Sequence, residues 1–397
     1  ASWGSRPQMV TVKKFAAEIS LMPLLSGNIK VNQIILEGVD LLAEKDKSGK
    51  ANWELGTAPK KADAPAAKGG PAALPVVNNI SIKDVKITYK DAQAGQDYTL
   101  GLDAVTFKAD GVDAPLQLSV EGSVNGQKMS LKGNVGSISA LAGGKVFPLK
   151  LDIAALGVGI GLDGKAGVPG GKPTADIKLA LNGASLENTL KAAASLAPAL
   201  KDVVLPIKGS FKVAGGVKLN GPQKIAIEGL DLVIGPIAAQ GRLSADLTGK
   251  RPAVDVALKT DTLNLDELLP KDDKKAAPAP APATAPAKKS DGRVFPNDPL
   301  PLEGLKAADA KVLFDANKVI IQGTEITGIK VALNLKNGRL HVKPLAATVA
   351  DGTIVGDVLL NASKSVPTLK SVLTIKQLDF GKVLTQRGLT DIAHGKV

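Results

Sequence analysis

Two histidines, His341 and His394, and no cysteine are all the soft ligand and nucleophile chemistry available to the chain. Thiolate or imidazole zinc sites and histidine-based triads need clusters of those residue types, so transition-metal and triad chemistry have nothing to work with. His341 alternates with Arg339 and Lys343 around Leu340 and Val342, the pattern of a wet strand residue, and His394 lies in a ragged C-terminal stretch. Residues 159–165 (GIGLDGK) match G-x-G-x-x-G and the start of a phosphate loop. The next position is Ala166, where Ser or Thr would hold magnesium, and Pro169 and Pro173 follow, so no helix can present its N-terminus to a phosphate. A glycine-rich hairpin turn is the better reading. Asp272 and Asp273 sit among linker lysines, and Asp261, Asp266 and Glu267 flank Leu263, Leu265 and Leu268, where charge serves solubility. The chain therefore reads as a non-enzyme that needs no cofactor and no metal.

Lys+Arg 50 against Asp+Glu 38 leaves a charge of +12, which favours anionic partners. Lys83, Lys86, Lys178, Lys208, Lys212 and Lys218 alternate with apolar residues, however, as on a solvated sheet face. Neither aromatic platforms nor a basic helix offers itself to nucleic acid, whereas weak attraction to an anionic lipid surface fits the charge.

Hydrophobic residues make up 44% of the chain and aromatics only 3%, with 42 Gly and 25 Pro. The apolar mass is thus aliphatic and β-prone, cut by many turns. Lack of cysteine excludes disulfides and leaves the compartment undecided. The longest uncharged apolar stretch, residues 153–162, is about half of what a membrane-spanning helix needs. The sequence opens abruptly at Ala1, so an anchor is expected upstream.

Two stretches rich in Ala, Pro and Lys, residues 57–75 and 271–299, read as linkers and delimit an N-terminal β module (1–56), a central β-groove module (76–270) and a C-terminal β module (300–397). Within the modules apolar residues recur with period two, as at Leu116, Leu118 and Val120, at Ile177, Leu179 and Leu181, and at Ile329, Val331, Leu333 and Leu335. Asn125-Gly126, Asn182-Gly183, Asn220-Gly221, Asn337-Gly338 and Asp351-Gly352 read as hairpin turns. One helix is expected near 185–198: Ser185 caps it, Leu186, Leu190, Ala193 and Ala197 form its stripe, and Pro198 ends it.

About twenty short amphipathic strands against one helix pose a covering problem, since every apolar sheet face must be hidden. Two Trp and two Tyr cannot supply the girdles of an outer-membrane barrel. A closed sandwich and a curled trough filled by something other than protein both remain.

Leu21-Met22-Pro23-Leu24-Leu25-Ser26-Gly27-Asn28-Ile29, then Ile34-Ile35-Leu36-Glu37-Gly38, a hairpin through Lys45-Asp46-Lys47-Ser48-Gly49, and Asn52-Trp53 closely resemble the AsmA family of bacterial envelope proteins. Residues 241–252 and 263–270 look like the strand pair before that family's proline-rich linker, and 304–384 like its C-terminal module, with Asp351-Gly352 where paired glycines are expected. The resemblance implies a periplasmic protein tethered to the inner membrane, similar to bridge-like lipid-transfer proteins. Its fold would be mostly β: a long antiparallel, strongly curved, taco-like sheet with a hydrophobic groove and about one amphipathic helix. Its partners would be phospholipids, the inner membrane and envelope proteins, and its role phospholipid traffic and outer-membrane integrity.

On that reading the inward-facing Ile82, Ile87, Leu118, Val120, Leu131, Leu151, Leu179, Ile207 and Phe211 contact acyl chains. So do Ile227, Leu232, Leu243, Val256, Val331 and Leu333. The competing reading is a structural or chaperone-like envelope assembly factor with a closed β-sandwich core and no lipid.

Overall fold

Aliphatic residues at alternate positions, closed off by residues that accept positive φ, build eighteen strands in a computed structural model. It describes residues 3–22, 31–54, 77–203, 205, 207–268, 302, 304–364 and 366–386. Both stretches read as linkers lie outside the described residues, as do residues 23–30, Asp272, Asp273 and His394.

The chain divides into units Ala1–Pro222 and Gln223–Val397. The first holds β1 (Val10–Ile19), β2 (Val31–Lys45), β3 (Val77–Asp91), β4 (Gln96–Lys108), β5 (Pro115–Val124), β6 (Gln127–Ser137), β7 (Phe147–Ala155), β8 (Val158–Gly167), β9 (Thr174–Gly183) and β10 (Phe211–Asn220). The second holds β11 (Lys224–Ile234), β12 (Ile237–Asp246), β13 (Ala253–Asn264), β14 (Asp309–Ile321), β15 (Thr324–Lys336), β16 (Arg339–Val349), β17 (Gly352–Asn361) and β18 (Thr368–Lys376). Within each unit consecutive strands pair, antiparallel except for β2–β3 and β13–β14. A parallel neighbour requires the chain to return a full strand length, roughly 50 Å for β2. In sequence, residues 46–76 separate β2 from β3, and residues 265–308 separate β13 from β14.

Hairpins at Asn125-Gly126 and Asn337-Gly338 have both turn residues at positive φ, as their composition demands. Leu156-Gly157 and Gln322-Gly323 make the same turn without Asn or Asp. Asn182-Gly183 is no turn. It ends β9, and a Cβ on Gly183 would lie 2.3 Å from the Phe211 ring of β10. The turn expected at Asp351-Gly352 sits one residue earlier, at Ala350-Asp351, and Gly352 opens β17. Residues 159–165 form most of β8 rather than a turn, which removes any phosphate loop.

The expected helix runs Leu186–Leu196 with the Ser185 hydroxyl accepting from the Asn188 amide. Three shorter helices among the described residues, Ile138–Ala142, Gly304–Ala307 and Phe380–Gln386, were not legible as periodic stripes because four to seven residues complete barely one or two turns. Among the described residues no helix is long and apolar enough to cross a membrane.

Alternation slips where each unit needs it. Asp84 of β3 (φ 51) lies beside Gly38 of β2 (φ 66), and the apolar spacing widens there from two to three, Ile82 to Val85 and Leu36 to Val39. In the second unit Gly229 and Gly328 (φ 57 and 58) do the same between Ile227 and Leu230 and between Ile326 and Ile329. Such bulges keep one face apolar while the strand bends. Asp261 and Asp266 have structural partners, not merely solvent. Asn317 donates to Asp261 at 2.7 Å, and the amide of Gly323 donates to Asp266 at 2.8 Å, fixing the β14–β15 turn.

The closed sandwich does not form. Among the described residues no large side chain is fully buried, and the tightest burial is local. Leu42, Glu44 and Asn52, at 5%, 6% and 5% exposure, lie where the N-terminal segment and the 46–54 hairpin fold over one strand. Burial opposes ionisation of Glu44, but hydrogen bonds from Ser5 and the charges of Lys90 and Arg6 outweigh it and hold the carboxyl below its ordinary value.

Gly241 has no room for a side chain: a Cβ would lie 1.9 Å from the Ala257 carbonyl oxygen across the β12–β13 pair, the close approach of a strand bent toward that face. Gly241→Ala should destabilise the second unit by about 2 kcal/mol or more, read as faster amide exchange in β12 and β13. Asp246 accepts from the Thr248 hydroxyl and amide at 2.5 and 2.9 Å and pairs with Lys224 at 3.1 Å, which pulls its carboxyl down to about 2. A depressed folded value gives stabilisation that is complete above about pH 4 and lost toward pH 2. Protection of the Thr248 amide should fall through that window, and Asp246→Asn should abolish the dependence.

Candidate functional site

Residues directly paired across a ladder point to the same face, so the register shows which side chains line up. In the first unit one row runs Phe15, Leu36, Ile82, Val105, Val120, Leu131, Ile153, Ile160, Leu181, Val213, one residue from each strand β1 to β10. It is unbroken hydrocarbon. The adjacent row runs Ile80, Phe107, Leu118, Gly133, Leu151, Leu162, Leu179 and Gly215. Ile87 lies with Leu41, Leu100 and Val124 further along the same face, and Phe211 with Val158 and Gly183.

The second unit repeats the pattern. Ile227, Leu243, Val256, Val312, Leu333, Val342 and Val358 form a row that meets a polar residue only at Ser371 of β18. Beside it run Leu230, Gly241, Leu258, Phe314, Val331, Leu345, Gly356 and Leu373. Leu232 pairs with Ala239 one step beyond. A cavity of about 420 Å³ opens over the second row, lined by Gly241, Leu258, Phe314, Val331 and Pro344 with their strand neighbours.

Every residue expected to line a groove therefore lies on its unit's apolar face, with one exception. Ile207 sits outside the strands, in the segment between the Leu186–Leu196 helix and β10. Phe15, Leu36, Val105, Ile153, Ile160, Val312 and Phe314 share the rows but were not singled out. Ile153 and Ile160 were hidden in a stretch read as one apolar run, which is the β7–β8 hairpin. Val105 belongs to β4, which pairs across the bulge with β3, where counting in twos fails.

Charge occupies the opposite face. Lys132 pairs with Glu121 at 2.9 Å, Arg242 with Asp255 at 3.7 Å and Lys318 with Glu325 at 3.1 Å. His341 Nε2 lies 2.8 Å and Lys343 Nζ 2.6 Å from the Asp357 carboxylate, whose value Lys343 first, and then His341, holds below the ordinary range. These pairs are solvent-exposed and add little stability. Among the described residues no group of three or more His, Asp or Glu is placed to hold a metal. The arrangement offers hydrocarbon contact on one side and hydration on the other.

In the first unit the helix follows β9, Thr189 approaches Gly157 in the β7–β8 turn, and the Tyr98 hydroxyl of β4 donates to the Leu196 carbonyl at 3.5 Å. The helix covers roughly 15 Å, while the five strand spacings from β4 to β9 cover roughly 24 Å. The Tyr98 side chain and its 3.5 Å hydrogen bond span the difference. Gly122 shows the same crowding, since a Cβ there would lie 2.2 Å from the Gly101 carbonyl oxygen.

The sequence matches the AsmA family over residues 1–155 and 223–397. It is similar to the AsmA family protein YhjG of Escherichia coli (strain K12), 23% identical over 394 residues that cover 90% of this chain and 55% of that protein. The chain thus spans about half the length of this relative. No solved structure matches. The family pattern spans most of the sequence, including both parallel strand pairs of the open ladders, and the chain belongs to the AsmA family.

Proposed function

We propose that the apolar faces cradle phospholipid acyl chains and that the protein supports lipid transport between inner and outer membranes, working in the periplasm and tethered to the inner membrane. Membership of the AsmA family points to an envelope-related function. The observation that carries the finer reading is the set of near-continuous apolar rows, among whose described residues no large side chain is fully buried. Exposing a chain of about sixteen carbons to water costs on the order of 12 kcal/mol at about 0.8 kcal/mol per CH₂. A continuous hydrocarbon floor offsets most of that cost. Because the rows offer almost no polar handle, meeting one only at Ser371, no position along the rest of them holds a tail more tightly than the next, so tails slide while headgroups stay in water. Phospholipids are the partners this chemistry recognises, the inner membrane is their source, and other envelope proteins are their destination or relay. No reacting group is required.

Native mass spectrometry of the purified chain tests the reading. Phospholipid should co-purify with it, and Val120→Asp with Leu131→Asp and Leu243→Asp should remove the lipid while far-ultraviolet circular dichroism stays unchanged; lipid retained by that variant would defeat the proposal. Ser119→Asp, on the other face of β5, should keep the lipid. The delipidated, folded protein should also enhance the fluorescence of an apolar dye, and Leu258→Asp with Val331→Asp, which line the 420 Å³ cavity, should lower the signal. An unchanged signal would show that the cavity takes no hydrocarbon.

A further inference from the structure

Residues 156–222 fall outside the stretches that match the family, and they hold β8 to β10 and the chain's longest described helix, Leu186–Leu196. Glu187, Leu190, Lys191 and Ala194 recur on one face of that helix and, with the segment that follows it, enclose a cleft of about 260 Å³. Leu190, Ala194, Leu200, Val203 and Leu205 supply its apolar wall, and Lys191, Lys201 and Lys208 its charge.

Only part of that charge is answered. Lys208 lies 3.5 Å from Glu187, with both side chains well exposed. Among the described residues no carboxylate pairs with Lys191 or Lys201; Asp202 is exposed and does not line the cleft. The cleft also adjoins the apolar face. The segment runs through Ile207 into Phe211, which is 8% exposed, and the helix end meets Tyr98, which shares its face with Leu100 and Leu102.

We propose that the Leu186–Leu196 helix, with Leu200, Lys201, Val203, Leu205 and Lys208, forms a docking site for an anionic phospholipid surface, at which a negatively charged headgroup meets Lys191 and Lys201 while its tails reach the apolar face of the first unit. Inorganic phosphate would satisfy the lysines and leave the apolar wall wet. A neutral lipid would do the reverse. An anionic phospholipid satisfies both, and a lysine close to an anionic surface contributes enough attraction for a few of them to decide binding. Where the tails go rests on the lipid-cradling reading above, but the docking itself does not.

The full chain is mixed with vesicles of phosphatidylcholine alone and of phosphatidylcholine with phosphatidylglycerol, and bound protein is separated by flotation. Binding should require phosphatidylglycerol and weaken with salt. Lys191→Glu with Lys201→Glu should lower the affinity at least roughly tenfold. Lys201→Glu alone, at an exposed position, should lower it in the same direction with far-ultraviolet circular dichroism unchanged. Replacing both with Arg should preserve binding, and Lys150→Glu, on the polar face of β7, should leave it unchanged. Equal binding to both vesicle types, or binding unaffected by the glutamate variants, would overturn the proposal. So would release by inorganic phosphate beyond that by chloride at equal ionic strength, which would make the cleft a phosphate site. Vesicle binding lost with co-purified lipid retained isolates the docking site; wild-type protein that binds vesicles yet carries no co-purified lipid would fell the transport reading and leave docking standing.

Discussion

Backbone hydrogen bonding between strand neighbours holds this protein together, and among the described residues of each unit no second sheet is laid on the faces it creates. A ladder satisfies every interior N–H and C=O whatever the side chains do. Side chains are thereby released from the task of building a core. In most domains that freedom is lost, because an apolar sheet face must be packed against another element. Here the row from Ile227 to Val358 stays at intermediate exposure and so does most of the row from Phe15 to Val213, where Phe15 is exposed and Val105 buried, and among the described residues no large side chain is fully buried. Function is left to the surface that packing did not consume.

Keeping such a face apolar over many strands takes local devices, and both units use the same ones. Each contains one parallel pair, β2–β3 or β13–β14, joined through an Ala- and Pro-rich stretch of sequence. Each has residues at positive φ at or beside that pair, Gly38 and Asp84 in the first unit and Gly328 in the second, where the apolar spacing widens by one residue and hydrocarbon returns to the same side. Each also has a glycine, Gly122 or Gly241, at which a neighbouring strand's carbonyl occupies the space of a Cβ. The two units share a plan of pairing, bulge and bend, even though their residues differ.

Much of this was legible in the sequence. Period-two alternation located Leu118, Val120, Leu179, Val331 and Leu333, and register then placed them on common faces. Ser185 and Pro198 bracketed the helix correctly to within a residue or two. Failures occurred where the local signal pointed two ways. Asn182-Gly183 has the composition of a hairpin, but Gly183 is small because Phe211 stands over it. Leu156-Gly157 turns without a turn former at its first position, so residues 153–162 looked like one apolar run. Pairing between β2 and β3 across the intervening stretch could not be read at all, since strand order between distant segments leaves no periodic trace. Asp266 looked like solubilising charge because a carboxylate that caps a turn 57 residues away is indistinguishable in sequence from one that faces water.

The central claim is that hydrocarbon enters on one side of each sheet and not the other. Because the chain has no cysteine, a single introduced thiol reports one position without competition. A polarity-sensitive fluorophore is attached at Val120→Cys and, separately, at Glu121→Cys, adjacent residues of β5 on opposite faces, and phosphatidylglycerol is added to the delipidated protein. The account predicts a blue shift at position 120 and none at 121; equal shifts at both positions, or no shift at 120, would contradict it.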